Sequence, residues 1–325
     1  MNSNTLVSII TPAFNESNNI ELFYNQLVEA LKTSNFKWEW IVVDDSSSDD
    51  TSSIIRHTSS NDKRVKCLRL SKNSGTHISS ICGMTKSSGN CCVIMACDLQ
   101  DPPKIIPRLV SMWEKGNQVV WAVRENHSSE SLPSRIASKF YHFIINKWLK
   151  TPNTFSNGAD FLLADRRVID CVSKYNERHL SILTLIAKIG FKQTHILYNK
   201  EKRINGVSNW TFSKKIKLFI DSILSFSYKP IRIMSITGIL VATSGFIYAA
   251  TIIYHKISYG GTVEGWSSLI VVCLLLGGIQ MIMLGILGEY LWRALDESRK
   301  RPLFFVEDEF GFDDNFSAKK NNSLI

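Results

Sequence analysis

The sequence predicts an α/β protein: a mixed, mostly parallel sheet covered by helices, followed by interfacial amphipathic helices and two transmembrane helices. Three observations carry this expectation. Short β-branched runs alternate with helical stretches through the first two hundred residues. Two long charge-free runs follow residue 230. Acidic or polar clusters fall where the strands of such a sheet end, which is where open α/β sheets bind their ligands.

The strands are expected at Leu6–Thr11, Glu39–Asp44, Val65–Leu70, Cys92–Cys97 and Val119–Val123. Helices lie between them near Asn18–Lys32, Asp50–Thr58, Ile78–Lys86 and Lys104–Lys115, and two further segments, Asp160–Leu163 and Lys192–Leu197, can extend the sheet. The clusters at the strand ends are Asn15-Glu16, Asp44-Asp45 and Asp98-Leu99-Gln100.

From Ile233 to Tyr254 and from Gly265 to Gly288 the chain carries no charge. At about 1.5 Å per residue each run spans roughly 33–36 Å, enough for the ~30 Å hydrocarbon layer of a bilayer. Basic residues set the orientation. Lys214, Lys215, Lys217, Lys229 and Arg232 precede the first run, and Arg293, Arg299, Lys300 and Arg301 follow the second. The connecting segment His255–Trp266 has only Lys256 and Glu264. The large domain and both termini are therefore expected on the cytoplasmic side of a membrane, with two passes. Ser213–Tyr228 and Ser134–Lys150 each gather apolar residues on one helical face; next to a span the first reads as a helix lying among headgroups, while the second fits that or a helix packed on the domain core. The tail beyond Phe310 is polar and expected to be disordered.

The balance of Lys+Arg 38 against Asp+Glu 29 gives a net charge of +9, which suits anionic partners. No basic stretch interleaved with aromatics reads as a nucleic-acid motif, so phosphates and acidic lipid are favoured over nucleic acid. The seven cysteines form no CxxC pair and no Cys/His zinc spacing, which points to reduced, mostly buried thiols. The N-terminal stretch lacks a basic region followed by a long apolar core, so no signal peptide is read there.

Chemistry can be read at two clusters. Asp44-Asp45 closes an apolar strand and opens onto serines and a helix start. A carboxylate there can accept hydrogen bonds from a base or ribose, while helix capping by Ser48 or Asp49 explains only the Ser/Asp run. Asp98-Leu99-Gln100-Asp101-Pro102-Pro103 follows the strand CVIMAC. A hard cation, Mg2+ or Mn2+, prefers oxygen ligands shared with substrate phosphates. In an extended spacing Asp98 and Gln100 point to one side and can reach one ion, while Asp101 alone reads as a cap and the prolines as a helix start.

Taken together, SIITPAFNE, IVVDDSSSDDT, LSKNSG, MACDLQDPP and ADFLL resemble the family-2 glycosyltransferases of the GT-A fold. Within them the chain is most similar to the polyprenyl-phosphate branch: dolichol-phosphate mannose synthase and the bactoprenol glucosyltransferases of O-antigen (lipopolysaccharide) modification. The tail LGEYLWRALDESRKRP is similar to the latter group, and the resemblance runs from about Val7 to Phe305. It implies a cytoplasmic catalytic domain over 1–210, an interfacial helix over 211–230, a two-helix anchor over 231–292 and a basic tail over 293–325. It implies inverting transfer of a sugar to undecaprenyl phosphate, with glucose from UDP-glucose the first choice of donor and another nucleotide-sugar the alternative. Pro12, Asn15, Glu16, Asp44, Asp45 and Asp98 would bind the nucleotide-sugar, and Asp98 with Gln100 the metal. Asp160 would serve as base or orienter, and Arg124, Arg135, Arg203 and Ser208 would hold the acceptor phosphate. The chain departs from the family pattern at Ala96, where a first aspartate is usual, at Ser46 and Ala159 for glycine, and at Ser74 for an aromatic. A processive polysaccharide synthase would carry a Gln-x-x-Arg-Trp motif, which the sequence lacks; a catalytically silent, membrane-anchored nucleotide-binding partner is the competing expectation. Small residues in the second run (Gly277, Gly278, Gly285, Gly288) suit helix packing in a homo-oligomer.

Overall fold

A computed structural model describes residues 5–125, 161–175, 182–201, 229–259 and 265–312. Two compact units divide the chain, one of Met1–Ser222 with Pro302–Ile325 and one of Ile223–Arg301. In the first unit the elements run β1 (Leu6–Ala13), α1 (Ser17–Leu31), β2 (Lys37–Asp44), α2 (Thr51–Asn61), β3 (Val65–Leu70), α3 (Thr76–Lys86), β4 (Cys91–Ile94), α4 (Ile106–Glu114), β5 (Val119–Arg124), β6 (Phe161–Asp165), α5 (Arg166–Val172), α6 (Ile182–Lys188) and β7 (Gln193–Tyr198). After the second unit the chain returns as β8 (Val306–Phe310). The five expected strands and four expected helices all form, with ends shifted by a few residues, and both candidate extensions join the sheet.

The strands make one sheet in the order β7-β5-β6-β4-β1-β2-β3-β8. β1 is parallel to β2 and β4, β2 to β3, and β5 to β7, whereas β6 is antiparallel to β4 and β5 and β8 to β3. The sheet is thus mixed, with parallel pairing concentrated in its centre. From β1 the chain first winds outward through β2 to β3. Helix α3 then carries it back across β2 and β1 to β4, so the winding reverses between β1 and β4. That crossing needs a small residue. A Cβ on Gly83 would sit 2.5 Å from Ile10 Cγ2 and 3.1 Å from Val43 Cγ2. The glycine's poor helix propensity is accepted in exchange for close helix–sheet packing.

Both faces of the sheet are covered, so β1, β2 and β4 are buried almost throughout instead of alternating. Phe23 of α1 packs on Trp40 with ring centroids 5.3 Å apart, in a cluster with Ile20, Leu27 and Val42. Ile41 and Val43 point the other way, toward Leu68, Leu70 and Cys82. At the opposite end of the sheet from the strand termini, the buried Glu39 carboxylate accepts from Ser8 Oγ (2.5 Å), the Ser88 backbone N–H (2.8 Å) and Lys66 Nζ (2.7 Å). It ties the α3–β4 turn to β2. Burial raises its pKa, but the Lys66, Ser8 and Ser88 hydrogen bonds outweigh that and hold it below the usual carboxylate range.

The second unit consists of α7 (Lys229–Tyr259) and α8 (Trp266–Ser298). Within them Ile231–His255 and Leu275–Ser298 are long and apolar enough to cross a membrane, and neither stretch is buried by protein. Phe246, Ile257 and Met281 stand largely exposed, an apolar surface that water-facing helices do not carry. The amphipathic stretches 134–150 and 213–228 lie outside the described residues. Within the segment 293–325, α8 continues to Ser298 and β8 is a strand the sequence reading did not place.

Because the folded pKa of Glu39 lies below its unfolded value of 4.5, its stabilisation is complete above that pH and is lost as pH falls through the folded pKa. Glu39→Ala is expected to lower stability by about 2–4 kcal/mol, since it also strands buried donors. Glu39→Gln is expected to flatten the fall in thermal unfolding midpoint below about pH 4.5. Identical acid sensitivity in wild type and Glu39→Gln would contradict the assignment.

Candidate active site

Three turns leave the sheet side by side, at the carboxyl ends of β1, β2 and β4. Each contains one non-glycine residue in the left-handed region: Asn15 (φ 55°), Ser46 (φ 63°) and Leu99 (φ 58°). Such residues persist only where surrounding contacts over-determine them. Asn15 is the type that tolerates this best, and Leu99 among the worst.

The β1 and β2 turns are laced together. Asn15 N–H donates to Ser47 Oγ (3.0 Å) and Glu16 N–H to Thr51 Oγ1 (2.9 Å), while Asn15 Oδ1 accepts from Ser48 N–H (2.9 Å). Asp45 N–H donates to the Ala13 carbonyl at 2.8 Å. Glu16 accepts from Asn19 Nδ2 at 2.6 Å at the start of α1, and Pro12, half-buried, pairs with Val43. Asp49 accepts from Thr51 N–H (3.1 Å) in a turn just before α2, but the cap position itself is Asp50 and carries no side-chain cap, so the helix capping expected of Ser48 or Asp49 is not found.

Asp44, Asp45, Asp98 and Asp101 are 0, 3, 8 and 4% exposed. Asp44 accepts from Ser47 N–H (2.9 Å) and from Arg69 Nη1 (2.7 Å). Asp45 accepts through both oxygens, from Ser74 N–H and Gly75 N–H, each at 2.7 Å. Gly75 (φ 88°) supplies the turn into α3. These carboxylates therefore build the loops at the strand ends. An ionised carboxylate has about four acceptor positions, so a base or ribose can be met by those that remain.

At the end of β4 the expected extended spacing is not found. The left-handed Leu99, buried at 1% exposure, makes Asp98–Gln100 a turn in which Gln100 N–H donates back to Asp98 Oδ1 at 3.2 Å. The pairing of Asp98 with Gln100 thus comes from a turn and not from strand alternation. Asp101 is no helix cap: the turn Pro103–Ile105 begins without a side-chain cap, and Asp101 accepts from the Tyr198 hydroxyl. Burial, and then the Asp101 charge, push the Tyr198 pKa up, against a lowering contribution from Arg124. Arg124 and Tyr198 end β5 and β7 in register. Both strands run in the direction of β4, because β6 is antiparallel to β4 and to β5. Arg124 therefore stands on the same edge of the sheet as Asp98. The chain after Tyr198 straps the loop further, with Glu201 N–H donating to the Gln100 carbonyl (2.9 Å) and Glu201 paired with Lys104 (2.7 Å). Asp160, Arg135, Arg203 and Ser208 lie outside the described residues.

The donor set suits a hard cation. Asp98 and Gln100 offer oxygens, and among the described residues no group of three His, Cys, Asp or Glu stands ready to hold a metal. Two protein ligands plus substrate phosphates is the usual arrangement for Mg2+-type sites. Burial pushes Cys67, Cys82 and Cys92 up to about 12, leaving them protonated at neutral pH. Arg69, Asp101 and Tyr198 are the site residues the sequence reading missed; only the aspartate, as part of the DLQDPP run, carried a visible signal.

Residues 8–172 match the model of glycosyl transferase family 2. An uncharacterized glycosyltransferase of Bacillus subtilis, YkcC, is 35% identical over 306 residues, covering 94% of each chain. A bactoprenol glucosyl transferase of Shigella phage SfV is 32% identical over 303 residues, covering 93% of this chain and 98% of its own. Among solved structures, glucosyl-3-phosphoglycerate synthase from Mycobacterium tuberculosis, crystallised with Mn2+, UDP and glucosyl-3-phosphoglycerate, superposes with a TM-score of 0.51 at 17% identity, over 69% of this chain and 80% of that one. Mannosyl-3-phosphoglycerate synthase from Rubrobacter xylanophilus gives 0.51 at 13% identity, over 67% and 72%. At such identities the structural matches establish the fold, the GT-A arrangement.

The left-handed Ser46 costs about 1 kcal/mol that glycine avoids. Ser46→Gly is expected to raise stability by about 0.5–1 kcal/mol, read as a higher thermal unfolding midpoint, and Ser46→Val to lower it. A lower midpoint for the glycine variant would show that the turn is held by the serine side chain instead.

Proposed function

This chain belongs to glycosyl transferase family 2, and on that premise we propose that it transfers glucose from UDP-glucose to the phosphate of a polyprenol, with inversion, at a membrane surface. The observation that carries the reading is the gathering of Asp44, Asp45 and Asp98 at the carboxyl edge of adjacent strands. The chain also aligns along nearly its whole length, apolar helices included, with relatives named bactoprenol glucosyl transferase.

In this reading Asp44 and Asp45 face the nucleoside, with Pro12, Asn15 and Glu16 lining the same end. Asp98 and Gln100 would hold Mg2+ or Mn2+, which when bound would supply charge stabilisation for the departing diphosphate. The acceptor is a phosphate monoester with a second pKa of about 6, so it is largely dianionic near neutral pH and needs little general-base help. One of its oxygens attacks the anomeric carbon as the bond to the donor diphosphate breaks, and the nucleoside diphosphate leaves with the electron pair. An α-linked donor gives a β-linked product. Arg124, Arg135, Arg203 and Ser208 are assigned to the acceptor phosphate and donor, and Asp160 to orienting the acceptor.

Strand β3 precedes both apolar helices and β8 follows both, yet β3 and β8 share hydrogen bonds. The chain must therefore make an even number of crossings, which supports two passes with the site and both termini on one side. Basic residues flanking the helices favour the cytoplasmic side of a bacterial inner membrane.

Ala96 favours a second reading, a membrane-anchored protein that binds nucleotide without transfer. Purified full-length protein with radiolabelled UDP-glucose, Mn2+ and undecaprenyl phosphate is expected to yield a lipid-soluble labelled product. Metal-dependent UDP binding without product from any of several nucleotide-sugars would select the second reading. Asp98→Ala is expected to lower turnover at least ~100-fold and Asp160→Asn at least ~10-fold; wild-type rates would remove those residues from their roles.

A further inference from the structure

The strand that follows the apolar helices enters the sheet at the site. β8 is antiparallel to β3, so its first residues meet the carboxyl end of β3: Val306 pairs with Leu70, and Ser71 N–H donates to the Phe305 carbonyl at 3.0 Å. Its next three residues are acidic, and each pairs with a cation from a different element. Glu307 meets Arg69 of β3 (3.0 Å), Asp308 meets Arg56 of α2 (2.6 Å), and Glu309 meets Lys86 of α3 (2.5 Å).

Of these cations only Arg69 reaches the site. Its Nη1 lies 2.7 Å from Asp44 Oδ2, its Nε 3.0 Å from Glu307 Oε2, and its Nη2 donates to the Ser47 carbonyl at 3.3 Å. The guanidinium therefore spans the fully buried Asp44, the turn behind it and the returning strand. A planar, multidentate cation can do this; a lysine cannot.

We propose that Arg69 and Glu307 are positioning residues for the nucleotide end of the site. Glu307 fixes the guanidinium, and the guanidinium fixes Asp44 and the Ser47 turn. The chain beyond the apolar helices is thereby part of the donor site. This rests on the reading that Asp44 faces the nucleoside. Glu307 is 56% exposed and Arg69 25%, so the outer contact is worth a few-fold in binding, whereas the inner one compensates a buried charge and is worth more.

The test is UDP binding to the full-length, detergent-solubilised protein with Mn2+, measured by calorimetry and paired with thermal unfolding. Arg69→Gln is expected to weaken UDP at least ~10-fold, with Arg69→Lys recovering part of the loss. Glu307→Gln is expected to weaken UDP about threefold with little change in unfolding midpoint. Asp308→Asn breaks the ion pair to Arg56 while keeping the backbone pairing of Asp308 with Arg69, and is expected to leave UDP affinity unchanged. Equal losses in Glu307→Gln and Asp308→Asn would show that β8 acts only through general stability and would overturn the proposal. Asp44→Asn separates the two levels. If it weakens UDP while Glu307→Gln and Arg69→Lys bind like wild type, positioning fails and the site reading stands. If Asp44→Asn itself binds UDP like wild type, the site reading fails.

Discussion

Four carboxylates, Asp44, Asp45, Asp98 and Asp101, are removed from water at one edge of an apolar sheet. An ionised carboxylate left unpartnered there costs several kcal/mol. The loops around the site are shaped by meeting that demand. Asp45 draws the Ser74–Gly75 segment onto itself and so fixes where α3 begins. Asp44 holds its own turn through Ser47 and takes its charge partner from β3. Asp101 takes the Tyr198 hydroxyl and joins the β4 loop to the far side of the sheet. The acidic groups at these strand ends are thus the groups that hold the surrounding loops in place.

The strained turns follow from this arrangement. Asn15, Ser46 and Leu99 occupy left-handed conformations at three neighbouring strand ends, a combined cost of about 3 kcal/mol or more. Each is braced by hydrogen bonds that reach across the chain, such as Asn15 to Ser47 and Ser48, or Gln100 to Glu201. Sharp reversals at these points turn backbone and polar side chains toward the space beyond the strands. A relaxed loop would direct them into solvent. Leu99, a poor residue for such a backbone, is retained because its side chain is fully buried beneath the turn.

β8 closes the sheet edge at β3, which would otherwise present unpaired backbone groups. Its acidic residues neutralise three cations brought together by α2, β3 and α3. Gly311 (φ 75°) completes the seat, since a Cβ there would lie 2.6 Å from Ser59 Oγ and from the Val65 carbonyl. The segment that follows the apolar helices is thus structurally part of the domain that precedes them.

Much of this was legible in the residues. β-branched runs and helical periodicity placed five strands and four helices, and two charge-free runs announced the long apolar helices, because these signals are local and depend only on neighbours in the chain. The acidic clusters at Asp44-Asp45 and Asp98 were legible as strand-end clusters because they directly follow apolar β-branched runs. Other features were decided only by the tertiary structure. The run Val306–Phe310 falls within the expected basic tail until Arg56, Arg69 and Lys86 are brought beside it from more than two hundred residues away. Asp101 reads as a helix cap until Tyr198 arrives from the other end of the sheet. The Asp98–Gln100 spacing reads as extended until the buried Leu99 forces a turn. In each case the deciding partner is distant in sequence or hidden in the core, and a buried polar group takes its role from what lies around it in space.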